Sequence, residues 1–363
     1  MLRCISLAVL LACCLAAPSP VDRRISPVRI TRRLPSQLNH YHHDPTDVSL
    51  MSLTVSMGSG QQQMPDLEVD LTKGDLEIVF CTDTSAPPAG MANVCYNPKL
   101  SSTYVSLSNG TGMDTVKSAF PDDQFNLPNT TFIVKSLGAG NGFLPGGESG
   151  IVGFGWPSLQ KLPGEFFAYN YLKHYGSKRF SLTMGVDGCE GRHYWGSECL
   201  EELAGATPHY VPATTMSNWQ FQLNGFTFGT VKQVFHAQGV VTSTKGYIGM
   251  PKKFLQQMMN AYKIQWDGLY TSYVVDCNAD LPDFNIMIEG KNIKIAAKQY
   301  IYKKEPLANG KCIVNFEDSK AYGFGPDWYF GLPLLQAECL TFDYDQKRIG
   351  FTTNTEYCSW CHC

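Results

Sequence analysis

From about residue 48 onward, apolar and polar positions alternate in short runs punctuated by Gly, Pro, Asn and Asp. Such runs include LMSLTVSM, LEVDL, LEIVF, TTFIVKSL, RFSLTM, QFQLNGFTF, KQVFHA, SYVVDC, FNIMIEG, CLTFDY and RIGFTT. A period of two sends successive side chains to opposite faces, so these runs predict half-buried strands. Two stretches carry helical spacing instead, GEFFAYNYLKHYG and PKKFLQQMMNAY. Pro251 at the head of the second predicts a first helical position, where a missing N–H costs nothing. The pattern predicts an all-β dominated chain with a few short helices.

The two ends follow other rules. Residues 1–17, MLRCISLAVLLACCLAA, combine a basic start, an apolar stretch and small closing residues, the form of a signal peptide, with cleavage expected near Ala16 or Ala17. Residues 18–47 are a basic leader holding Arg23, Arg24, Arg29, Arg32 and Arg33 and then His40, His42 and His43. Two readings stand for it, a solvated linker and a removable pro-segment. Its histidines lack the rigid spacing of a dedicated metal site, so none is expected. No later stretch approaches the roughly 20 apolar residues of a spanning helix, which predicts a soluble mature protein with no membrane partner.

An internal repeat is the most informative feature. VDLTKGDL at 69–76 recurs as VTSTKGYI at 241–248, which sets Asp70 opposite Thr242. GIVGFG at 150–155 is matched by YFGLPLL at 329–335. Apolar residues around a Gly let one segment pass close to another backbone. Two such halves predict two related β-lobes, 48–185 and 186–363, with a cleft between them.

The net charge of -3 leaves no basic footprint, so nucleic acid is not an expected partner. Of 13 Cys, three lie in the signal and ten remain. Passage through an oxidising compartment makes disulfides the default for these. That route predicts a secreted protein or one of the endolysosomal lumen. Asn109 and Asn129 head glycosylation acceptor triplets, where they lie on the surface. No cofactor motif is present, and the oligomeric state is not encoded in any of these patterns.

After the leader, the chain resembles the pepsin-like aspartic protease family. SLTVSMGSGQQ is similar to the family's first-strand segment ending in Gly-Thr-Pro-Pro-Gln. EVDLTKGDLEIV resembles the stretch carrying the first Asp-Thr-Gly, and NPKLSSTY resembles Pro-Ser-x-Ser-Ser-Thr-Tyr. GIVGFGWPSL, VVDCNADLPDFNIMIEGKNIKIAAKQYI and WYFGLPLLQAECLTFDYDQKRIGF complete the series in the family's order. The resemblance implies a bilobal acid protease fold with the cleft as its site. It also implies bridges Cys81–Cys95 and Cys277–Cys312. Cys189 and Cys199 are close in sequence and are expected to pair. Cys339 and the tail Cys358-Ser-Trp-Cys361-His-Cys363 are left, whose spacing fits a metal or redox cluster, intermolecular pairing, or, as the default in a secreted chain, two more disulfides involving Cys339.

At the catalytic positions the match fails. Asp70 stands in the first aspartate's place, but Asp-Thr-Gly has become Asp70-Leu71-Thr72, and Thr242 occupies the second aspartate's place. Asp276 is no substitute, since it sits beside Cys277. The lid hairpin is reduced to Asn109-Gly110-Thr111-Gly112, and the terminal Gly-Asp reads Gly331-Leu332. Water activation of this kind takes two carboxylates sharing one proton, and a threonine hydroxyl does not titrate in that range. Lys73 or Lys245, if turned into the cleft, would hold Asp70 ionised. The expected function is a non-catalytic peptide- or ligand-binding or regulatory protein. The alternative is an active or weakly active aspartic endopeptidase using Asp70 with a non-standard partner.

Overall fold

A computed structural model describes residues 25–28, 52–81, 95–119, 125–136, 149–185, 191–199, 207–303, 306–321 and 325–354. The signal segment, most of the leader, Cys189 and the tail cysteines lie outside the described residues. No helix among the described residues is long and apolar enough to cross a membrane.

Among the described residues the strands form four sheets. One seven-stranded sheet belongs to the first half; a seven-stranded and a four-stranded sheet belong to the second. The fourth has six strands and is shared: Arg179–Thr183 comes from the first half, and Gly191–Trp195, His209–Pro212, Glu338–Asp343 and Arg348–Thr353 from the second. Its outer edge is a leader strand, Ile25–Val28, antiparallel to Gly191–Trp195 with Ser26 opposite His193. The two helical stretches fold as Phe167–His174 and Lys252–Tyr262. Pro251 caps the second from one residue further out than its helical spacing predicts; its backbone is still extended there.

The repeat is a structural one. In the first half, Gln62–Asp70 runs parallel to Gly150–Gly153, pairing Val69 with Val152 and Asp70 with Gly153. Leu76–Phe80 then returns antiparallel to the same strand. In the second half, Val231–Val241 runs parallel to Trp328–Phe330, with Val241 opposite Phe330, and Ile248–Met250 returns antiparallel. Each half therefore passes one strand between a strand and its successor. Glycine makes this passage: a Cβ on Gly153 would lie 2.6 Å from the Lys73 carbonyl oxygen, and one on Gly331 2.0 Å from that of Lys245.

One continuous apolar core spans both halves. Its centre is aromatic: Trp156 from the first half meets Trp219 from the second at 4.4 Å between ring centroids. Trp219 donates its indole N–H to the Phe154 carbonyl at 2.9 Å, and the Tyr344 hydroxyl points to the carbonyls of Phe154 and Gly155, both at 2.8 Å. These contacts satisfy buried backbone acceptors at the junction while burying large rings.

Cys81–Cys95 and Cys277–Cys312 are bridged, as the resemblance implies. The expected Cys189–Cys199 pair is corrected: Cys199 is bonded to Cys339, across 140 residues of sequence. The shared sheet decides this. Ser181 lies opposite Thr341 in register, which carries Cys339 to within 6.1 Å (Cα–Cα) of Cys199. Cys339 is thereby not available to the tail. In the chain-entropy picture a loop this long is worth about 5 kcal/mol, and here it closes within the second half, beside the shared sheet.

Candidate functional site

Asp70 ends the strand Gln62–Asp70, and Thr242 directly follows Val231–Val241. Each strand hands over to a tight turn carrying the Thr-Lys-Gly of the repeat. Both side chains are buried, Asp70 at 5% exposure and Thr242 at 2%. The Asp70 Oδ1 accepts the Thr72 backbone N–H at 2.7 Å and the Thr72 hydroxyl at 2.6 Å. The Thr242 hydroxyl oxygen accepts the Thr244 N–H at 3.3 Å and lies 3.2 Å from the Thr244 hydroxyl. Each turn is thus folded back on the side chain that opens it, as short Asp and Thr side chains do. Neither Thr72 nor Thr244 takes a left-handed backbone, so a side chain is accommodated where the family pattern has glycine.

The two turns are joined by Ser243. Its hydroxyl donates to the Val69 carbonyl at 2.6 Å and accepts the Leu71 N–H at 3.0 Å, fully buried. The residue related to Ser243 by the repeat is Leu71, which has no hydroxyl to return the bond and packs into the core. The link is one-sided. Leu332, where the family pattern has aspartate, is likewise a core residue and opens the short buried helix Leu332–Ala337.

Neither lysine of the turns reaches Asp70. The Lys73 ammonium is 3.3 Å from Glu77, which also takes Lys135 at 3.1 Å, and the Lys245 ammonium stands 5.8 Å over the Tyr247 ring. Asp276 caps its own turn by accepting the Asn278 N–H, well away from the junction in sequence and sheet. Among the described residues no group of three or more His, Cys, Asp and Glu side chains is placed to hold a metal.

The lid segment is a tight turn. Asn109 and Gly110 have φ of 59° and 69°, the paired left-handed conformation of a two-residue hairpin turn. They join Val105–Ser106 to Thr111–Ser118 at the edge of the first sheet. Asn109 and Asn129 are both exposed.

Four features escape the sequence pattern: Ser243, the Cys199–Cys339 bond, Asp114 and His193. Asp114 is 1% exposed and accepts the Tyr96 hydroxyl, the Thr103 hydroxyl at 2.6 Å and the Thr115 N–H at 2.7 Å. Burial alone would raise its carboxyl. The bonds from Thr103, Tyr96, Ser101 and Thr115 outweigh that and hold it below the usual carboxylate range. His193, in the shared sheet, is buried with neither ring nitrogen bonded among the described residues, and burial pushes it down to about 3. Nothing local in the sequence distinguishes either residue.

Comparisons with known proteins point to one family. The sequence profile of the family described as eukaryotic aspartyl protease matches residues 52–354. Aspartic protease 10 of Caenorhabditis elegans is 28% identical over 285 residues, covering 70% of this chain and 63% of the relative. Aspartic protease 17 of the same organism is 31% identical over 211 residues, 56% of this chain and 53% of the relative. Rabbit (Oryctolagus cuniculus) gastricsin is 23% identical over 289 residues, 70% of each chain. The chain thus spans about half to two thirds of the length of the two nematode relatives.

Proposed function

Given that the chain belongs to the eukaryotic aspartyl protease family, we propose that it no longer hydrolyses peptide bonds and acts instead as a non-catalytic peptide-binding or regulatory protein. One observation carries this reading. The two equivalent turns at the junction present a carboxylate from the first half, Asp70, and an alcohol from the second, Thr242. In an aspartic protease one carboxylate takes a proton from water while the protonated other polarises the peptide carbonyl. Thr242 cannot ionise to fill either role. Asp70 moreover has one oxygen engaged by Thr72. The tight Asn109-Gly110 turn supports the same reading, because a lid that folds over substrate and excludes water needs a longer hairpin.

The proposal includes passage through the secretory pathway. Three disulfides and the exposed acceptors Asn109 and Asn129 support it. Protein recovered from the medium of a eukaryotic host should lose mass on treatment with peptide N-glycosidase; unaltered mass would remove the glycan from the account. For the chemistry, mature protein is incubated with a broad peptide library from pH 3 to 7 and the products read by mass spectrometry. No cleavage above buffer is expected. Pepstatin-sensitive cleavage that disappears in Asp70→Ala would establish the alternative, an endopeptidase working with one carboxylate.

A further inference from the structure

We infer that the junction recognises a cationic nitrogen, the ammonium or guanidinium of a peptide, at the unused oxygen of Asp70; the inference rests on the non-catalytic reading above. The two oxygens of this carboxylate are in different situations. Oδ1 is saturated by the Thr72 N–H and hydroxyl. Oδ2 takes part in no hydrogen bond or ion pair among the described residues. It is also not among the buried polar atoms sealed from solvent without a partner. A side chain only 5% exposed thus keeps one acceptor atom without a hydrogen-bond partner among the described residues.

What that atom can bind follows from its neighbours. In a working dyad the pair shares a proton, so the site both donates and accepts and suits a neutral carbonyl or hydroxyl. The residue equivalent to Asp70 in the second half is Thr242, whose hydroxyl is engaged with Thr244 in its own turn. The cations nearest in sequence are held elsewhere, Lys73 by Glu77 and Lys245 over Tyr247. The junction therefore presents one acceptor that neither of these lysines neutralises. A charged donor is the complement, and charge-assisted hydrogen bonds are the strong ones. A neutral donor gains less, and an acidic side chain is repelled.

The test uses the full secreted protein and three blocked apolar hexapeptides differing at one central position, lysine, norleucine or glutamate. Affinity is read by fluorescence anisotropy, and the peptides are recovered afterwards to check for cleavage. The lysine peptide is expected to bind at least tenfold more tightly than the norleucine peptide, with glutamate weakest. Asp70→Asn, which keeps shape and the Thr72 bonds to oxygen, should remove the lysine preference and leave norleucine binding in place. Equal affinity for lysine and norleucine, or no binding of either, overturns the cationic assignment and leaves the non-catalytic reading standing. Cleavage of the peptides that is lost in Asp70→Asn overturns that reading itself. Because the lysine–norleucine comparison is made on the unaltered protein, it decides the matter even if the variant folds poorly.

Discussion

Ser243→Ala removes the hydroxyl that joins the two halves at the site. The change deletes one atom, but that atom serves two buried groups: the Val69 carbonyl at 2.6 Å and the Leu71 N–H at 3.0 Å. Val69 and Leu71 are 1% and 0% exposed, so water does not replace the bonds, and Leu71, the repeat's counterpart of Ser243, has no hydroxyl of its own. An orphaned buried backbone group costs about 1–3 kcal/mol, so the pair amounts to about 2–4 kcal/mol after partial relaxation. Equilibrium urea unfolding with the disulfides intact measures this as a lower midpoint with unchanged slope. Ser217→Ala is the control, an exposed hydroxyl bonded to Thr215 at 2.9 Å, expected to move stability by less than about 0.5 kcal/mol. A Ser243→Ala midpoint indistinguishable from that control would refute the claim that this hydroxyl couples the halves.

Two further predictions concern acid. Asp114→Asn should cost about 2 kcal/mol at neutral pH by weakening bonds to an ionised acceptor. Because the folded carboxyl sits below its unfolded value, its contribution is complete above about pH 4 and is lost as pH falls through the folded value; unfolding midpoints from pH 7 to 3 should show the variant's deficit shrinking. His193 runs the same way from the opposite charge: the unfolded ring binds a proton near 6.5 while the folded one resists until about 3, so stability is full above pH 6.5 and declines below it. That decline is about 2 kcal/mol by pH 5, and His193→Leu should flatten it; an unchanged pH slope in the variant would contradict the burial of a neutral ring.

Much of the fold is legible in the chain because strands and threaded glycines are written locally. Period-two runs such as QFQLNGFTF and RIGFTT form the strands Gln220–Phe228 and Arg348–Thr353. The recurrence of Thr-Lys-Gly puts Asp70 and Thr242 in equivalent turns, since both follow a strand that the glycines of GIVGFG and YFGLPLL must pass. What escapes depends on register between distant strands. Cys199 meets Cys339 only because Arg179–Thr183 and Glu338–Asp343 pair in the shared sheet. Ser243 acquires its role from the approach of the opposite turn, and Asp114 from Tyr96 and Thr103 closing over it. Proximity in sequence misleads the Cys189–Cys199 expectation for that same reason. The lysines illustrate a further limit, because the partner that holds Lys73, Glu77, is also met by Lys135 from a neighbouring strand.

The most direct test of the central claim is a single-turnover assay with purified mature protein in excess over an internally quenched peptide, followed from pH 3 to 7 with and without pepstatin. With one carboxylate at the junction, the account predicts fluorescence release no faster than in buffer, and no difference between the unaltered protein and Asp70→Ala. Release that pepstatin blocks and Asp70→Ala abolishes would contradict it.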